Sequence, residues 1–160
     1  MLNSLISLRR DRRGTAAIEF GLLLPLFLVF LLGAIEFGRA LSQANAIEKG
    51  VRAGVALAVR SDNPIVAASA QETAIKNLVK YGETGNSGPY LVEGWSVAGA
   101  SVDIDVVRTY TDGASGVTGL DVIRIIATVP YTPLVPGLFT FAGLSTFNIV
   151  VDHEQAYIGY

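Results

Sequence analysis

Sixteen consecutive residues without a charge, Phe20 to Ile35, follow closely on four arginines set within five positions, Arg9, Arg10, Arg12 and Arg13. No other feature narrows the possible folds as much. Counted from Thr15, the stretch of low polarity is 21 residues long, about 31 Å as an α-helix at roughly 1.5 Å per residue. That matches a bilayer hydrocarbon core of about 30 Å. The basic cluster on the N-terminal side predicts a single pass, with the N-terminus in the cytoplasm and everything after Ile35 outside. The expected organisation is therefore a basic leader over 1–14, a transmembrane helix over 15–35 and an extracytoplasmic head over 36–160.

A cleaved secretory signal peptide shares the basic start and apolar middle, and Ala44-Asn45-Ala46 supplies an A-x-A site. Glu36 and Arg39 intervene before that site, however, and the apolar run is long for a signal peptide. The paired arginines resemble a twin-arginine export signal only in the arginines themselves. A plain membrane anchor is the third reading. Neither the signal peptide nor the plain anchor explains Glu19, a carboxylate at the start of the apolar segment. Near a helix centre such a group costs about 2.5–3.5 kcal/mol, and less near an edge.

The pentapeptide AIEFG occurs twice, at 17–21 and at 34–38, so each end of the run carries a glutamate. Glu36 has Arg39 three residues on, and the pair reads as the solvated end of the helix. Glu19 has no lysine or arginine after it within the run, and the leader arginines end at Arg13. A partner can be created. If the chain were cut after Gly14, Thr15 would carry a new ammonium four positions before Glu19, and positions i and i+4 are neighbours on a helix face. The amine and carboxylate would then pair within one chain or between neighbouring chains.

This pattern resembles the type IV prepilin processing signal, a leader ending in glycine with glutamate at the fifth mature position. The stretch RRGTAAIEFGLLLPLFLVFLLGAIEFGRAL, from Arg12 to Leu41, resembles the TadE-like family, the pseudopilins or minor pilins of Flp (tight adherence) pilus systems. The basic leader, Gly14, Glu19, Phe20 and Pro25 carry the likeness, together with Glu36 and Arg39, and it extends over about residues 9–60. It implies processing between Gly14 and Thr15 by a prepilin peptidase, and roles for Glu19, Phe20 and Pro25 in recognition and assembly. The partners implied are other pilins or pseudopilins and inner-membrane pilus assembly proteins, at the bacterial inner membrane with the head in the periplasm.

Beyond Ile35 the helix is expected to run to about Arg60, with Phe37, Leu41, Ala44, Ile47 (or Glu48), Val51, Val55 and Val59 near one face. Gly50 and Gly54 either weaken it, by up to about 1 kcal/mol each, or admit a close neighbour. Asn63 and Pro64 read as the cap and first residue of a second helix ending at Gly82, with Ile65, Ala68, Ile75, Leu78 and Val79 inward and Lys76 and Lys80 solvated. GETGNSGP is a turn-rich loop. The period then changes to two: Val102, Ile104 and Val106 alternate with Asp103 and Asp105, and Ile123, Ile125, Ala127 and Val129 with Arg124 and Thr128. Residues 146–158 make a third strand. The fold class is α+β, a long N-terminal transmembrane helix extending into a small head with a second helix and an antiparallel sheet of about three strands.

Composition removes several functions. There is no cysteine, one histidine and a net charge of −2, which leave no thiol chemistry, no Cys/His pair and no strongly basic nucleic-acid binder. Neither G-x-S-x-G nor a phosphate-binding glycine loop occurs. Asp103 and Asp105 fall on the polar side of a strand without a visible third ligand, and His153 reads as solvated surface on an outward strand position. No cofactor, metal site or enzymatic activity is expected. PYTPLVPGLFTFAGL reads as an irregular loop with at most one helical turn, its apolar part covering the sheet in preference to forming an interface. The rival readings are an uncleaved, membrane-anchored binding module of the envelope and a periplasmic enzyme released by signal peptidase.

Overall fold

The computed structural model describes residues 13–61, 69–111, 118–141, 143 and 145–157. Helix α1 runs without interruption over Arg13–Ala58, through Pro25. Helix α2 is Ala70–Tyr81, a short 3-10 turn spans Glu93–Ser96, and strands β1 (Ser101–Thr111) and β2 (Thr118–Pro130) follow. Helix α3 (Pro136–Phe141) and strand β3 (Asn148–Ala156) complete the chain. The sheet is antiparallel in the order β1-β2-β3. The α+β class expected from the sequence is therefore the observed one. Two compact units divide the chain, Met1–Gly38 and Arg39–Tyr160.

In the first unit α1 is long and apolar enough to cross a membrane, and its most apolar stretch is entirely unburied. Pro25 lacks the N–H that would bond the Gly21 carbonyl one turn earlier, and its ring would crowd the chain there. Having glycine at that earlier position removes a side chain from the crowded turn.

In the second unit the core gathers Ile47, Val51, Val55 and Ala58 from α1 and Ile75 and Val79 from α2, with Ile123, Ile125, Ala127 and Val129 from β2. The alternation predicted for β2 is the observed one. Close approach of α1 to α2 depends on two glycines one helical turn apart. A Cβ on Gly50 would lie 2.5 Å from the carbonyl oxygen of Val79, and one on Gly54 would lie 2.7 Å from Val79 Cγ2. Of the two readings these glycines allowed, close packing is the one realised.

Several expectations are corrected. Helix α2 begins at Ala70, where the Ser69 hydroxyl accepts from the Glu72 N–H at 3.1 Å. Asn63, Pro64, Ile65 and Ala68 lie outside the described residues. The C-terminal end falls as expected at Gly82, whose φ of 78° suits glycine. Lys80 is not simply solvated: its ammonium sits 5.9 Å from the centre of the Trp95 ring. On α1, Phe37 and Leu41 are exposed, and the buried face passes through Gln43, Ile47 and Val51 instead. His153 shares the inner face of β3 with Ile149 and Val151 and is half-buried opposite Ile125. The apolar C-terminal segment divides: Phe139 packs on the core beside Tyr131, whereas Phe141 is 80% exposed and Leu134 is also exposed.

Candidate functional site

The first unit presents a helix with two charged residues between Gly14 and Gly38, Glu19 and Glu36. Their environments are opposite. Glu19 is exposed, whereas Glu36 is only 5% exposed. Glu36 is thus not the solvated helix end that its sequence neighbours suggested. Arg39, expected to pair with it across a helical turn, reaches Glu93 at 2.7 Å, a residue 54 positions away that sequence spacing could not reveal. Two identical pentapeptides are separated by what surrounds them, and the first leaves a carboxylate on an otherwise uncharged exposed surface.

Gly14 and Thr15 occupy the first turn of α1. Glu19 lies one turn beyond Thr15, about 6 Å along the axis and on nearly the same face. Phe20, Leu22, Leu23 and Leu24 beyond it are all exposed. Gly14, Gly21, Gly33 and Gly38 have nothing within 4 Å of where a Cβ would stand. In contrast to Gly50 and Gly54, no packing among the described residues accounts for these four. Arg9, Arg10 and Arg12 lie outside the described residues, and Arg13 is the residue at which α1 opens.

Elsewhere the polar groups form local structural contacts. Arg124 holds Asp152 through Nε at 3.1 Å and Nη2 at 2.7 Å and reaches Glu154 at 3.3 Å. The register places Asp105 and Glu154 directly opposite it on the flanking strands. The hydrogen bond to Asp152 is the main cause of the raised Arg124 pKa. Tyr81 stacks on Tyr90 with ring centres 4.7 Å apart, and their hydrogen bond, followed by partial desolvation, raises the Tyr81 pKa above 10. Asp103 accepts from the Ser101 hydroxyl at 2.9 Å. Among the described residues there is no cluster of three or more His, Cys, Asp or Glu that could hold a metal. A recess of about 290 Å³ opens beside Arg39, Gln43, Leu91 and Glu93.

A long exposed apolar helix with an exposed carboxylate near its start suggests a single-pass membrane protein. Residues 14–56 match the family profile of TadE-like proteins, just over a quarter of the chain. The match begins at Gly14 and takes in Glu19, Pro25, Glu36 and the Gly50–Gly54 contact, so the likeness read from the sequence is shown over this span. No curated protein and no solved structure gives a significant match to the chain.

Proposed function

We propose that this chain is a structural minor pilin or pseudopilin of an Flp-type (tight adherence) pilus or the related secretion apparatus. It is inserted in the bacterial inner membrane as a single pass, N-terminus in the cytoplasm and head in the periplasm. A prepilin peptidase then cuts after Gly14. Its partners are that peptidase, the membrane, neighbouring pilin-type helices and the inner-membrane assembly proteins. Cleavage removes four arginines and one aspartate, taking the formal charge from −2 to −5.

The observation that carries this reading is the exposed carboxylate of Glu19, one turn from Thr15 on a helix surface that between Gly14 and Gly38 carries no other exposed charge. An ionised carboxylate there is costly in lipid unless it is paired. Before cleavage Thr15 offers an amide; afterwards it offers an ammonium, in the same chain or a neighbour. Cleavage then precedes assembly because it creates the cation that makes burial of Glu19 between helices affordable. The glycines at 21, 33 and 38, unexplained by packing among the described residues, support lateral packing of such helices, since small residues let helix backbones approach in a membrane.

The same helix argues against signal peptidase cleavage after Ala46. That cut would fall inside α1, directly before the fully buried Ile47 and beside the core-packed Ala44 and Ala46. The deciding measurement is the intact mass and first residue of the membrane-bound protein, from cells with and without the prepilin peptidase. A start at Thr15 that depends on the peptidase is the expected outcome. A start at Met1 in both strains leaves an uncleaved anchor carrying a binding head; a start at Ile47 makes the apolar run a signal peptide.

A further inference from the structure

The apolar run in the sequence ends at Ile35 because Glu36 follows, with Arg39 soon after. Folding removes both of these charges from the open surface. Glu36 is buried, and Arg39 is half-buried and tied to Glu93. What α1 presents at this level is Phe37, 66% exposed, and Leu41, 51% exposed. At 100° per residue these two lie within about 40° of one another and of Phe30, so one exposed apolar face continues past the position where the sequence appeared to stop it. The next charged residues on that face are Glu48 and Arg52, which pair with each other.

We infer that the exposed face of α1 from Phe37 to Leu41 is a lipid-contact surface, which places the membrane boundary on this face near Leu41, about 9 Å beyond Ile35. This rests on the membrane-spanning reading above. The occupant is the bilayer because the face is continuous with the unburied apolar surface of the span and has the same character: aliphatic or aromatic, uncharged and convex. From Thr15 to Leu41 the length is about 40 Å, more than a hydrocarbon core of ~30 Å and within the ~40–45 Å that includes the headgroup layers. Phe37 and Leu41 therefore lie at the depth of the lipid carbonyls and headgroups. Arg39, on the opposite side of the helix, is at a height where a guanidinium meets phosphates.

The absence of cysteine makes the test direct. Single cysteines are placed in the full-length protein at Leu28, Phe37, Leu41 and Arg52 and labelled with an environment-sensitive fluorophore. Each variant is reconstituted at low protein-to-lipid ratio into phosphatidylethanolamine and phosphatidylglycerol vesicles. Spin-labelled lipids carry the quencher either near the carbonyls or deep in the acyl chains. Labels at 37 and 41 are expected to be blue-shifted and quenched most by the shallow probe. The label at 28 is expected to be quenched most by the deep probe, and the one at 52 by neither. If 28 is quenched while 37 and 41 behave like 52, the inference fails and the membrane-spanning reading stands. Blue shifts at 37 and 41 without lipid quenching, growing with protein density, mean that a second protein chain covers the face, which also overturns it. If 28 is not quenched, the membrane-spanning reading itself falls, and this inference with it.

Discussion

The hydroxyl of Tyr157 donates a 2.6 Å hydrogen bond to the backbone carbonyl of Ser61, joining the residue just after β3 to the residues just after α1, 96 positions apart. The adjacent backbone is held as well, the Tyr157 N–H donating to the Asp121 carbonyl at 2.7 Å. Replacing Tyr157 by Phe keeps the ring and removes the hydroxyl donor, so the Ser61 carbonyl loses its partner in a partly buried setting. The expected loss is about 0.5–1.5 kcal/mol. It is read as a lower urea midpoint at unchanged slope for the full chain in detergent; an unchanged midpoint would show that water replaces the bond at no cost.

Gly50→Ala sets helix propensity against packing. Alanine favours the helix by up to about 1 kcal/mol. The new methyl, however, meets the Val79 carbonyl at 2.5 Å, and α2 must move away. Overpacking of this kind costs about 1–3 kcal/mol, so a net destabilisation is expected. Gly38→Ala, with nothing within 4 Å, is the control and should leave head stability unchanged. Equal thermal midpoints for Gly50→Ala and wild type would show that the close approach does not constrain the core.

Arg124 is the cation of the outer sheet face, with Asp105 and Glu154 in register on either side and Asp152 in its grip. In the wild type, added salt screens attraction. In Arg124→Ala it screens the mutual repulsion of the carboxylates left behind. The salt dependence of the thermal midpoint is therefore expected to reverse sign, from falling or flat in the wild type to rising in the variant. Parallel curves would mean that the network contributes nothing to stability.

The hydrogen bond between Tyr81 and Tyr90, which favours the protonated Tyr81, is the main reason that Tyr81 titrates above its ordinary value. Its folded pKa exceeds its unfolded one, so the native state binds this proton more tightly. The resulting stabilisation is complete below pH ~10 and is lost as pH rises through the elevated folded value. Tyr90→Phe should move the Tyr81 transition to lower pH in a tyrosinate absorbance titration. An unmoved transition in Tyr90→Phe would assign the shift to another cause.

Glu19→Gln is expected to insert normally, to be cleaved, and to assemble poorly. An ion pair reduced to a neutral amide contact loses about 1.5–3 kcal/mol of charge-assisted bonding, roughly a tenfold to hundredfold weaker lateral association. Co-purification with the other pilus components measures this directly. Assembly at the wild-type level in a correctly cleaved Glu19→Gln protein would sink the proposed pairing.

Much of the architecture was legible because its signals are periodic. Alternation in β2 identified Ile123, Ile125, Ala127 and Val129, and Gly82 marked the end of α2. What could not be read depended on contacts distant in sequence. Glu36 and Arg39 look like a solvated helix end from their spacing, but Glu36 is buried and Arg39 reaches Glu93, 54 residues further on. The predicted apolar face of α1 included Phe37 and Leu41 because a helical stripe carries no mark of where its protein neighbours end. The strand-like pattern around His153 gave its period correctly and its face wrongly, since alternation alone does not say which side is inward. The turn holding Trp95 has no periodicity to detect; the chain's single tryptophan was its available signal.

The arrangement of the core sets an order of events during synthesis. The α1 residues Ile47, Val51 and Val55 leave the ribosome well before the β2 residues that cover them, with Ile125 following Val55 by 70 positions. At ~5–20 residues per second that gap lasts roughly 4–14 s. For those seconds the emerging segment bears an apolar face with no sheet to receive it.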